Sequence, residues 1–73
     1  MKARSTTLKK FGKRVQILRK EKGISSQLDF ALKSGLDRSY VGGIERGERN
    51  ISLITIEKIA ETLEVSMSEL FDY

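Results

Sequence analysis

The 73-residue chain predicts an all-α fold, one compact domain built from five short helices. Three observations carry that expectation. Proline is absent. Apolar residues recur at the three- and four-residue spacing of amphipathic helices. Ser or Asp stands just before most of the apolar runs, where a side-chain oxygen can satisfy the first free amides of a helix.

The first helix is expected from about Thr7 to Lys22, after a basic segment, residues 1–6, expected to be disordered. Leu8, Phe11, Val15 and Leu18 form its buried stripe, and Gly23 supplies the stop. Ser26-Gln-Leu-Asp29 reads as a capping box in which Asp29 replaces the stronger Glu or Gln. It opens a helix over about Gln27–Lys33 that buries Phe30 and Ala31. Gly35 then turns the chain. Asp37 caps a third helix running to about Arg46, with Val41 and Ile44 inward, and Gly47 ends it. Ser52 caps a fourth helix, about Leu53–Leu63, whose inner stripe is Leu53, Ile56, Ile59, Ala60 and Leu63. Ser66-Met-Ser-Glu69 is a full capping box opening a last short helix with Leu70 and Phe71. Residues 7–73 thus form one domain. Helices two and three, about three residues apart, fit a helix-turn-helix motif.

Composition narrows the function. The chain has no Cys and no His, which removes the usual zinc ligands and most acid–base devices. There is no phosphate-cradling glycine loop and no pair of carboxylates in an evident pocket, so neither an enzyme nor a cofactor is expected. No apolar run approaches the roughly 20 residues of a membrane span, and no hydrophobic stretch follows the charges of Met1–Thr7, so a cytoplasmic location is expected. The net charge is +4 and unevenly spread. Lys2, Arg4, Lys9, Lys10, Lys13, Arg14, Arg19, Lys20 and Lys22 face a single acid, Glu21, in the first 22 residues. From residue 50 onward, Lys58 faces Glu57, Glu61, Glu64, Glu69 and Asp72. A basic half suits phosphate, or simply a solvated tail.

On a helical wheel, Val41, Ile44 and the flank of Tyr40 turn inward. Ser39, Gly42, Gly43 and Arg46 face outward, with Arg38 at the edge. That outer face is small, polar and basic, as a helix entering a major groove requires. Arg38 could bond guanine O6 and N7 together. Gly42 and Gly43 each cost about 1 kcal/mol relative to Ala. They allow either close approach to bases or tight packing on a neighbouring helix. Arg46, Arg49 and Asn50 follow the helix, within reach of phosphates or merely solvated. Gln27 lies beside the free amides opening helix two, a ready anion site.

These residues resemble the lambda-repressor/Cro-like (Xre-type) helix-turn-helix family. The stretches that match are Phe11–Gly23, Leu36–Asn50 with its Ile-Glu-Arg-Gly run, and Ile56–Ser66. Leu-Asp-Arg-Ser-Tyr, Gly-Ile-Glu-Arg and Arg-Asn look most like the controller proteins of restriction–modification systems. The resemblance implies a homodimeric transcriptional regulator on a pseudo-palindromic double-stranded DNA operator. By position it implies base contacts from Arg38, Ser39 and Gly42, with Gly43 added from the outer face. It implies backbone contacts from Gln27, Tyr40, Arg46, Arg49 and Asn50, and a structural pair, Arg19 with Glu45. Ser25-Ser26 makes the loop before helix two one residue longer than the family pattern. Leu28, Leu32 and Ile17 occupy positions commonly charged and exposed. Either helix two is rotated to bury a leucine, or these residues form a contact patch.

The dimer surface is expected, by elimination, at Val65, Met67, Phe71 and Tyr73, far from the basic half, although Phe71 and Val65 could instead close the monomer core. Activation would need a surface for RNA polymerase, for which Glu45 or Glu48 could serve. The rival reading is an antitoxin-type interaction module on the same fold, with Leu28, Leu32 and Ile17 facing the partner. RNA binding is disfavoured, because the five aromatic residues mostly fall in the core.

Overall fold

Side-chain oxygens open four of the five helices in the computed structural model. It describes the backbone of residues 2–73 and the side chains of residues 6–73. Among the described residues the helices are α1 (Lys2–Glu21), α2 (Gln27–Ser34), α3 (Arg38–Glu45), α4 (Leu53–Leu63) and α5 (Met67–Leu70), with no strand. Ser26, Ser52 and Ser66 accept from the amides of Asp29, Thr55 and Glu69. Asp37 accepts from that of Ser39. A serine cap of this kind is worth about 1 kcal/mol over alanine. The capping box is complete at α5, where Glu69 reaches back to the Ser66 amide at 3.1 Å. At α2 the Asp29 carboxylate instead accepts from Lys33, one turn on, at 3.0 Å.

Two expectations about helix bounds and faces change. α1 begins at Lys2, not near Thr7, so residues 2–6 are helical; no Pro or Gly interrupts them. Met1 lies outside the described residues. Leu53, assigned above to the inner stripe of α4, is 76% exposed, and Ile54 beside it is 71% exposed. The first turn of α4 overhangs the core, which the helix reaches only at half-buried Ile56 and then at Ile59, Ala60 and Leu63.

The core draws on every helix: Val15, Phe30, Val41, Ile44, Ile59, Leu63 and Leu70 are fully buried. Burying each such side chain contributes about 1.5–3 kcal/mol. α1 packs on α3 without a side chain between them at one point. A Cβ on Gly12 would stand 2.7 Å from the Glu45 carbonyl oxygen and closer still to that of Ile44. Only glycine permits that approach. Gly47, at φ +76°, meets the Lys9 backbone in the same way and ends the third helix against α1. Arg14 donates through Nε and Nη2 to the Glu69 carbonyl, at 3.1 and 2.7 Å, tying the end of α5 to α1. No described helix is long and apolar enough to cross a membrane.

Candidate nucleic-acid interface

Asp37 caps α3 so that Arg38 and Ser39 open its first turn at the surface. One turn behind, α2 presents Gln27 to the same surface. Gln27, Arg38, Ser39, Gly42 and Arg46 together line a recess of about 260 Å³. No acidic side chain lines it, and two guanidinium groups do, so the recess attracts anions and hydrogen-bond acceptors. No ion pair among the described residues involves Arg38.

The floor of the recess is fixed from below. Arg19 and Glu45, whose side chains are 4% and 2% exposed, form a two-armed ion pair. Arg19 Nε and Nη2 donate to Glu45 Oε2 and Oε1, at 2.7 and 3.2 Å. Arg19 Nη1 also donates to the Ile24 carbonyl at 3.0 Å, holding the loop before α2. Glu45 Oε1 then accepts from Gln27 Nε2 at 3.0 Å. One buried carboxylate thereby joins α1, the α1–α2 loop, α2 and α3. The second N–H of the Gln27 amide takes part in no hydrogen bond among the described residues.

Ser39 is less free than its exposure suggests, because its hydroxyl donates to the Asp37 carboxylate. Together with the Ser39 amide, that bond holds the Asp37 carboxyl below its ordinary value of 3.8. Gly42 and Gly43 lie on the outer face yet are buried: the Arg46 side chain and Gln27 of α2 cover Gly42, and the Arg49 side chain covers Gly43. A Cβ on Gly42 would meet Arg46 Nη1 at 3.0 Å and Gln27 Oε1 at 3.1 Å. A Cβ on Gly43 would meet the Arg49 stem at 3.0 Å. Close approach of α2 through Gln27 therefore accounts in part for Gly42 but not for Gly43, and bases could reach either only if these side chains lift away. The glycine on which two helix backbones meet is Gly12, which the sequence reading passed over. Its signal was present: a glycine inside an otherwise uninterrupted helix costs about 1 kcal/mol, and a packing reason should be sought for it.

Arg49 rests its guanidinium 5.2 Å from the centre of the Tyr40 ring, so these two backbone candidates act as one unit. Asn50 is not brought into the recess. It borders an apolar hollow with Leu8, Phe11, Ile51, Ile56, Phe71 and Tyr73. Glu45 is buried, whereas Glu48 is exposed and forms an ion pair with Arg46 Nε at 3.1 Å.

The dimer candidates divide. Val65 is half-buried against the core. Phe71 stacks on Phe11 at 5.2 Å with the Tyr73 ring tilted against it at 6.5 Å and is still 44% exposed, while Met67 and Tyr73 are exposed. Leu53 and Ile54 present more apolar surface than any of these and were not expected to. Leu28 and Leu32, one turn apart on α2, are exposed, as is Ile17, so α2 is not rotated to bury them.

Known proteins match this architecture. A family model described as helix-turn-helix covers residues 15–70. The control protein C.MunI of a Mycoplasma species is 48% identical over 62 residues, 85% of this chain and 84% of that one. The crystal structure of the restriction-modification controller protein C.AhdI from Aeromonas hydrophila is similar at 55% identity. Its TM-score is 0.85, over 90% of this chain and 98% of that one. A third likeness is to the controller protein C.Esp1396I, solved as a tetramer in complex with its natural 35 base-pair operator. It is 43% identical with a TM-score of 0.80, over 89% of this chain and 84% of that one.

Proposed function

The chain belongs to this helix-turn-helix family, and from that premise we propose that it is a sequence-specific, double-stranded-DNA-binding transcriptional regulator. It acts as a homodimer on a pseudo-palindromic operator, in the manner of a restriction–modification controller in the cytoplasm. The observation that carries this reading is the acid-free recess on α3. It places Arg38, Ser39, Gly42 and Arg46 beside Gln27, over a buried Arg19–Glu45 clamp.

Arg38 and Ser39 face the bases, joined by Gly42 and Gly43 once the arginines over them lift away, while Gln27, Tyr40, Arg46, Arg49 and Asn50 serve the backbone in the positional pattern of the family. Phosphate contacts orient the helix and carry little sequence information; base contacts supply the choice. The two-fold contact combines Met67, Phe71 and Tyr73 with Leu53 and Ile54, and Val65 supports it from the core side. Such burial adds stability to a domain whose own core is small. If the regulator activates, the RNA polymerase contact falls to Glu48 rather than to Glu45.

Exposed Leu28, Leu32 and Ile17 favour a second reading, a protein-interaction module of the antitoxin type on the same fold. Sedimentation of the protein with a duplex carrying its selected site separates the two. The regulator gives at least two chains per duplex and an affinity that falls steeply with salt. An interaction module that does not use its fold on DNA gives neither, and the interaction reading is favoured by a tight, salt-insensitive complex with a protein partner.

A further inference from the structure

Arg38, Gly42 and Arg46 stand four residues apart on α3 and its C-cap, so they form one stripe along the helix. The middle position has no side chain, and Arg46 fills the space with Gln27 Oε1 beside it. Its chain folds back toward the helix N-terminus, bringing Nη1 to 3.0 Å from where a Gly42 Cβ would stand. Its Nε forms an exposed ion pair with Glu48 Oε1 at 3.1 Å. With Nε beside that carboxylate, the two terminal nitrogens are left as a fork of parallel donors, the geometry that matches O6 and N7 of guanine. The guanidinium borders the same recess as Gln27, Arg38 and Ser39, not the outer rim where Arg49 lies on Tyr40.

We propose that Arg46 is a base-reading, specificity-determining residue, a second arginine reader beside Arg38. Glu48 positions it, and the missing side chain at Gly42 makes room for it. This assignment rests on the operator-binding reading and moves Arg46 out of the backbone set given above. Gly42 then has a role in the free protein: it seats the arginine that reads.

The test measures affinities of the purified full chain for its selected duplex, for every single-base-pair variant of that duplex, and for random-sequence duplex. Arg46→Ala should abolish preference at a base pair that Arg38→Ala leaves intact. It should weaken the selected duplex about 5- to 100-fold while random-sequence duplex loses much less. Arg46→Lys keeps the charge without the fork and should lose the same preference while retaining random-sequence affinity. Gly42→Ala and Glu48→Gln should blur that same base pair with the helical circular dichroism unchanged. Equal weakening of selected and random duplexes by Arg46→Ala, with the base profile intact, would make Arg46 a phosphate contact and overturn the proposal. A wild-type chain with no base preference would instead overturn the operator reading, and this assignment with it.

Discussion

Arg19 on α1 and Glu45 at the end of α3 share two hydrogen bonds, at 2.7 and 3.2 Å, with almost no access to water. Breaking a buried pair by removing one partner leaves an uncompensated charge and costs about 3–5 kcal/mol. Arg19→Ala or Glu45→Ala should therefore lower the unfolding free energy read from urea denaturation by that amount. Arg19→Met with Glu45→Leu should recover most of the loss, because apolar replacement of both partners removes the desolvation penalty. A loss under about 1 kcal/mol, typical of exposed pairs, would mean that the clamp is not structural.

Asp37 makes stability depend on acid pH with a definite sign. The Ser39 hydroxyl and amide hold its carboxyl below the ordinary value of 3.8 in the folded state. A depressed folded pKa contributes stability above the unfolded value, and that contribution disappears as pH falls through the folded value. The stability difference between wild type and Asp37→Ala should be constant near neutral pH and shrink below about pH 3.8. A difference that stays constant down to acid unfolding would contradict the cap.

Arg38 and Arg49 should separate by the kind of loss they cause. Arg38→Ala is expected to cost about 1–3 kcal/mol on the preferred site and to relax preference at one base pair. Arg49→Ala should weaken every duplex alike and reduce the salt slope by about one. Sequence preference untouched by Arg38→Ala would remove it from the reading set.

Ile54 tests the two-fold contact with little risk to the monomer, being 71% exposed at the first turn of α4. Ile54→Asp should yield a folded monomer at micromolar concentration, seen by sedimentation, with operator affinity reduced because one half-site binds alone. Phe71→Asp also strips the stacking on Phe11 and should lower stability as well. An unchanged dimer in both variants would place the interface elsewhere.

How far the fold was legible follows from the range of the forces involved. Ser26, Asp37, Ser52 and Ser66 cap where the local pattern puts them, because a cap bonds within three residues of itself. Leu53 misled because helical spacing reports which residues share a face, not where the partner surface ends. Gly12 and Gly47 owe their roles to the backbone of an element more than thirty residues distant, which no short window contains. Within the site, the outward stripe of α3 was readable. The folding of Arg46 and Arg49 back over the glycines was not, since a long side chain on a helix end chooses its direction from tertiary neighbours. The role of Glu45 as the joint between Arg19 and Gln27 also needed three helices in place.

Selection from a random-sequence duplex library, repeated at two salt concentrations, tests the central claim most directly. The account predicts a two-fold symmetric motif with half-site centres about 10–10.5 bp apart, retained at the higher salt with reduced affinity. Recovery of no motif, with only salt-labile binding, would contradict it.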